Sequence, residues 1–111
     1  MNIQIFGKSK CFDTKKAERY FKERRIRYQL IDIVKFGMSK GEFSSVKSAL
    51  GGDTMALVDE KEYDRQQLKY LANNDLDERL METPALFKTP IVRNGKKASA
   101  GYKPEVWETW E

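Results

Sequence analysis

The chain has one cysteine, Cys11, and no histidine among its 111 residues. A single thiol closes no disulfide within the chain, so a redox cycle would need a thiol from outside it. Without histidine there is no Cys–His or Ser–His–Asp catalysis, and nearly every common zinc site is excluded. No acidic cluster has the spacing of a carboxylate-only Mg²⁺ site, so no metal is expected. No apolar run approaches the length of a membrane span. The opening Met-Asn, followed by strand-forming residues, carries none of the features of a secretory signal. A cytoplasmic protein that engages no membrane and needs no bound cofactor is the expectation. Two phosphoryl-transfer motifs are also missing. Gly7-Lys8-Ser9 imitates the end of a P-loop, but the glycine that loop requires five positions earlier is Asn2. A Cys-x5-Arg phosphatase loop would need arginine at position 17, which is Ala17.

What is present suits a single domain over residues 1–111, with 40% apolar and 34% charged residues, enough to bury a core without disulfides or metal. The formal charge of +4 is unevenly placed. Residues 1–27 hold nine Lys/Arg against three Asp/Glu, whereas residues 28–111 hold twelve against fourteen. Arg19, Lys22, Arg24, Arg25 and Arg27 read as a solvated helix face. The lysines nearer Cys11 read better as an anion-attracting field. Nucleic-acid binding is not expected, because the basic segment lacks interleaved exposed aromatics and any zinc-finger or RNP motif.

A lone cysteine is most often a small buried packing residue. Cys11 differs in its neighbourhood. Ile3 to Gly7 reads as a short buried strand, Lys8-Ser9-Lys10 as a turn, and Cys11 opens a helix with an apolar stripe of Ala17, Tyr20 and Phe21. A thiol at a helix N-terminus faces unpaired N–H groups and the positive end of the macrodipole, both of which favour the thiolate. Lys8, Lys10, Lys15 and Lys16 push the same way. The helix end should outweigh the lysines, since its N–H groups are fixed whereas exposed ammoniums are flexible and screened. Thr14 adds a hydroxyl in the first turn that could donate to the sulfur.

Further along, helix one is expected over 12–24, with Glu18 and Lys22 paired at i,i+4. Arg25 to Val34 reads as a strand in which Ile26, Tyr28 and Leu30 alternate. Ser39-x-x-Glu42 forms a capping box, flanked by Met38 and Phe43 at the staple positions, and Gly51-Gly52 ends that helix. Asp64-x-x-Gln67, flanked by Tyr63 and Leu68, reads as a second box. A short helix from Asp75 to Met81 would stop before Pro84. Pro90 opens a strand to Arg93, Asn94-Gly95 signals a type I′ turn, and Lys97 to Ala100 returns. Pro104 suits the first turn of a last helix over 104–110, with Val106, Trp107 and Trp110 facing the core. The order β-α-β, helices, β-β-α is an α/β arrangement with a mixed sheet.

The stretch Gly7-Lys-Ser-Lys-Cys11-Phe-Asp-Thr14-Lys15-Lys16-Ala17 resembles the active-site turn of the bacterial arsenate reductase/Spx (ArsC/Spx) family, in its monothiol subgroup. Leu86-Phe87-Lys88-Thr89-Pro90-Ile91-Val92 and Gly101-Tyr102-Lys103-Pro104-Glu105-Val106-Trp107 resemble that family's proline strand and last-helix start. The resemblance spans the chain. It implies a thioredoxin-like fold, with a core of residues 1–37 and 83–111 and a small helical insert, 38–82, between strands 2 and 3. It further implies Cys11 as nucleophile and a cis Thr89–Pro90 bond beside it. Thr14, Lys15, Lys8 and Ser9 would stabilise the thiolate or anion, and Thr89 with Pro90 would align a thiol substrate.

Three departures bear on activity. Lys15 and Thr89 stand where such reductases carry or favour arginine around the oxyanion, and the loop from Gly51 to Ala56 lacks arginine. Planar bidentate donors suit arsenate better than an ammonium does, so arsenate turnover is expected to be weak or absent. The Cys-x-x-Cys switch of Spx regulators is missing, since position 14 is Thr. Two functions follow from the resemblance. One is a monothiol reductase acting on a disulfide or oxyanion, resolved by glutathione as co-substrate or by a glutaredoxin-like protein. The other is an Spx-like module that docks on RNA polymerase or another partner. The chain's stop directly after the last helix favours the enzyme-like reading.

Overall fold

Alternation along Ile3–Gly7 (β1) sends Ile3 and Ile5 to one side of a sheet and Phe6 to the other, as the period of a pleated strand requires. This computed structural model describes residues 1–111. Helix α1 (Phe12–Glu23) follows and returns the chain to β2 (Tyr28–Asp32), which pairs in parallel with β1. A one-turn helix α2 (Ile33–Phe36) comes next, then α3 (Lys40–Ala49), α4 (Glu60–Arg65) and α5 (Asn73–Glu82), with 3₁₀ turns at Thr54–Leu57, Leu68–Tyr70 and Pro84–Leu86. The chain re-enters the sheet as β3 (Ile91–Asn94), antiparallel to β1, then β4 (Lys97–Ala100), antiparallel to β3. Helix α6 (Pro104–Glu108) closes the fold. The strand order is β2-β1-β3-β4, a mixed sheet with helices on both faces.

Each face has its own core. Ile3, Ile5 and Val92 meet Ala17, Tyr20 and Phe21 of α1 and Trp107 of α6. Phe6, Ile91 and Ala100 meet Phe87 and the insert's Phe43, Val46, Leu57 and Leu80. Full burial of such side chains contributes about 1.5–3 kcal/mol each. The insert is also stitched to the approach of β3. Val58 bridges Phe87, the Asp59 N–H donates to the Leu86 carbonyl at 2.8 Å, and the Lys88 N–H donates to the Leu57 carbonyl at 2.8 Å.

Several local expectations are corrected. The strand expected over Arg25 to Val34 is shorter, because Arg25 takes a left-handed φ of 57° and the Asp32 carboxylate accepts the Val34 and Lys35 N–H groups, starting α2. Leu30 lies exposed, opposite the first turns of α1, where a cleft with Lys15 and Glu18 stays open. Glu18 joins no ion pair with Lys22 and instead accepts a hydrogen bond from the Tyr28 hydroxyl at 2.9 Å. The box at Ser39 and Glu42 forms in both directions, but the one at Asp64 does not. Asp59 caps α4 five residues earlier, accepting from the Lys61 and Glu62 N–H groups, and Gln67 sits at φ 55° beyond the helix end. Asn94 stays in β3 opposite Lys97, so Gly95 and Lys96 form the turn. Only Gly95 has positive φ there, 62°, which makes the turn type II′ in place of I′. The last helix is regular only to Glu108.

Candidate functional site

The turn from β1 to α1 places Cys11 at the N-cap of α1, with φ −87° and ψ 117°. Its N–H donates to the Lys8 carbonyl at 3.1 Å, closing the turn. The thiol is partly exposed and faces the strand on the far side of β1, where its Sγ lies 3.6 Å from the Thr89 carbonyl oxygen. The Thr89–Pro90 peptide bond is cis, and both residues are buried. Cys11, Thr89 and Pro90, 78 and 79 positions apart in the chain, are thus brought to one place by the pairing of β1 with β3.

Burial pushes the Cys11 thiol up, but hydrogen bonds from Thr14 and Thr89 side chains, and then from the Thr14 and Asp13 backbone, hold it below the ordinary thiol range. Thr14 is almost fully buried, and its Oγ1 also accepts the Lys8 N–H at 3.4 Å. The hydroxyls therefore rank ahead of the helix N–H groups, and no lysine is among the leading causes. That differs from the expectation that the helix end leads, and the reason is proximity. Thr14 is nearly buried in the first turn after Cys11, whereas the lysines are directed elsewhere. Lys8 donates to the Ala85 carbonyl at 2.7 Å and approaches Asp59 at 3.5 Å, bracing the turn against the insert. Lys15 lies over the Phe12 ring, 5.8 Å from its centroid, and lines the cleft on the other side of the turn. Ser9 is exposed on that same side. Lys16 pairs loosely with Asp13 at 3.9 Å.

The thiol opens into a cleft of about 660 Å³ whose walls include Lys10, Asp13, Asp59, Lys61, Lys88 and Thr89. Asp59 and Lys61 come from the insert, and sequence reading missed both, since only the bridge of Val58 to Phe87 brings them there. Lys88 directly precedes the Thr89–Pro90 pair, and that adjacency is a signal that could have found it. The arrangement offers a partly exposed thiolate, hydroxyl donors fixed beside it, and a buried extended segment alongside. It lacks any guanidinium facing the sulfur, since no arginine lines the cleft.

A family model described as the ArsC family matches residues 6–110. Among curated relatives, the global transcriptional regulator Spx 2 of Oceanobacillus iheyensis is 28% identical over 106 residues, covering 92% of this chain and 78% of that protein. Among solved structures, an ArsC family related protein from Bacteroides fragilis superposes with a TM-score of 0.89 at 20% identity, covering 100% of this chain and 98% of the other. An arsenate reductase from Vibrio cholerae superposes with a TM-score of 0.82 at 24% identity, covering 96% of this chain and 94% of the other. These two likenesses are of fold, the expected thioredoxin-like mixed sheet flanked by helices.

Proposed function

The chain belongs to the ArsC family, and from that premise we propose that it is a monothiol reductase with Cys11 as its nucleophile. The observation that carries this reading is the thiol held below its ordinary range by Thr14 and Thr89 beside the cis Thr89–Pro90 bond. In the proposed cycle the Cys11 thiolate attacks one sulfur of a mixed disulfide. A new disulfide forms on Cys11, the old S–S bond breaks, and the other sulfur leaves as a thiolate with the electron pair. Glutathione, or a glutaredoxin-like thiol, then attacks the adduct and regenerates Cys11. Per turnover, one external thiol is oxidised and one substrate thiol is released. Thr14 and Thr89 lower the cost of the thiolate in both half-reactions, and the Thr89–Pro90 segment aligns the incoming sulfur.

Arsenate is the poorer substrate under this proposal. Thr89 supplies a hydroxyl where an arginine would give paired charge-assisted bonds, and Lys15 is directed to Phe12. The rate of iodoacetamide alkylation of Cys11 against pH tests the nucleophile, and a midpoint below the free-thiol value of about 8.5 is expected. A midpoint at or above that value would return Cys11 to a packing role. A glutathione-coupled assay should then show turnover of a mixed disulfide and little or none of arsenate.

One observation favours a second reading. The 28% identical relative is named as a transcriptional regulator of the Spx type, which supports an Spx-like module docking on RNA polymerase. Co-purification of RNA polymerase with the Cys11→Ser variant, in the absence of disulfide turnover by the unaltered protein, would favour it.

A further inference from the structure

Beside the thiol cleft lies a second, open groove of about 300 Å³, running along Ala98–Ala100 of β4, with Leu50 opposite. Lys88 and Lys103 flank it, and no Asp or Glu lines it. Lys88 also lines the thiol cleft, so it is the wall the two spaces share. The two spaces differ in charge. The thiol cleft mixes Asp13, Asp59 and Glu60 with Lys8, Lys10, Lys61 and Lys88, and Lys8 is engaged with Asp59 and the Ala85 carbonyl. The charged residues of the groove are Lys88 and Lys103, and neither joins any of the molecule's ion pairs.

Lys88 is exposed at the surface. Its N–H donates to the Leu57 carbonyl at 2.8 Å, which fixes the backbone. Its stem crosses Gly101, with Cε 3.2 Å and Nζ 3.8 Å from the point where a Cβ would stand. Gly101 itself has φ +88°, so a bare backbone both makes the turn and leaves the space that the stem occupies.

An anion reacting at Cys11 itself would meet a wall of mixed charge and no guanidinium. A substrate whose sulfur is uncharged and whose negative charge lies some atoms away would meet Cys11 at one end and the groove at the other. We propose that Lys88, seated on Gly101 and helped by Lys103, binds a distal carboxylate of a small disulfide substrate whose sulfur is attacked by Cys11. The inference rests on the reading of Cys11 as nucleophile, and it makes Lys88 a specificity-determining residue that selects an anionic low-molecular-weight disulfide over an oxyanion. The step is the exchange already described: the Cys11–S bond to the nearer sulfur forms, the substrate S–S bond breaks, and the anchored fragment either stays on Cys11 or leaves as a thiolate.

Two chromogenic disulfides separate the charge effect from the chemistry. Dithiobis(nitrobenzoate) carries carboxylates away from its sulfurs, and dithiodipyridine is neutral. Single-turnover release of the coloured thiolate is measured with the unaltered protein, Lys88→Gln, Lys88→Arg and Lys61→Gln. Lys88→Gln should slow the anionic reagent about threefold, the scale of one partly screened ion pair, and leave the neutral one unchanged. Lys88→Arg should keep the anionic rate, and Lys61→Gln, the same charge change in the thiol cleft but outside the groove, should leave the ratio of the two rates alone. Added salt should shrink the effect of Lys88→Gln. An unchanged ratio in Lys88→Gln, or an equal loss in Lys61→Gln, overturns the assignment of Lys88 while leaving Cys11 as nucleophile. If the unaltered protein reacts with neither reagent faster than a cysteine peptide, the nucleophile reading falls, and this inference falls with it.

Discussion

Gly7 and Thr14 form the smallest unit on which the thiol's chemistry depends. A Cβ on Gly7 would run into the Thr14 Cγ2 and lie 2.8 Å from its Oγ1, so the glycine is what lets the hydroxyl sit between the Lys8 N–H and the Cys11 sulfur. Gly7→Ala should therefore cost about 1–3 kcal/mol from overpacking, measured by denaturant unfolding, and should raise the thiol's ionisation midpoint by displacing Thr14. Thr14→Val keeps the volume and removes the hydroxyl, so it should raise the midpoint, at some cost in stability because the Lys8 N–H also loses its acceptor. Lys15→Ala should move it little. The sign for stability follows from the same depression. The folded thiol ionises more readily than the unfolded one, so its ionisation adds stability above about 8.5, and that contribution is lost as pH falls through the folded value. At this scale the sequence was informative about where the thiol stands: a cysteine at a helix start after a strand-turn signal is legible. Which neighbours touch it was not, because Lys8 and Lys15 share a charge and a chain segment with Cys11 yet are directed to Ala85 and Phe12.

Secondary-structure elements show how caps and burial divided the work. Helix α3 began and ended where its capping box and its glycine pair placed it, since both signals are local hydrogen-bond and φ preferences. Helix α4 did not. The Asp64 pattern lost to Asp59, which the backbone bridges to Leu86 had already positioned at a chain turn. Helix α6 is only five residues long and is held by tertiary contacts. Trp107 is fully buried against Tyr20 and Phe21, and its Nε1–H donates to the Ser99 Oγ of β4 at 2.8 Å. Ser99→Ala would leave that indole N–H buried without a partner, so it should destabilise the fold by about 1–3 kcal/mol in equilibrium unfolding. It should leave the alkylation profile of Cys11 near that of the unaltered protein. The expected i,i+4 pair of Glu18 with Lys22 failed for a related reason. The Tyr28 hydroxyl across the α1–β2 gap is the better partner, and burial, together with that bond, pushes Tyr28 up to about 12.

Across the whole molecule, the insert does more than fill one face of the sheet. Asp77 of α5 meets Lys47 of α3 at 2.6 Å and the Thr54 hydroxyl at 2.7 Å, tying three insert segments together. The pair is partly buried, with 24% and 21% of the two side chains exposed. Asp77→Ala should cost about 1–3 kcal/mol in urea unfolding, because the Lys47 ammonium and the Thr54 hydroxyl lose a shared partner. It should also loosen the edge of the thiol cleft, since Val58, Asp59 and Lys61 are carried by the same insert. No helix of the molecule is long and apolar enough to cross a membrane.

Local residue pattern was enough for the order of the elements, the α/β class with a mixed sheet and the place of Cys11 at a helix start. These depend on period-two and helical spacing, caps, prolines and glycines, each acting over a few residues. Tertiary structure decided what surrounds the sulfur. The pairing of β1 with β3 brings Thr89 and Pro90 from 78 and 79 residues away, and the insert's bridge to Phe87 supplies Asp59 and Lys61. Those contacts arise from strand register and shared burial, to which nearest-neighbour sequence is blind. Lys88 shows the difference most clearly. In the sequence it is one lysine among many, whereas in the fold it is the cation seated on a bare glycine between the thiol and an acid-free groove.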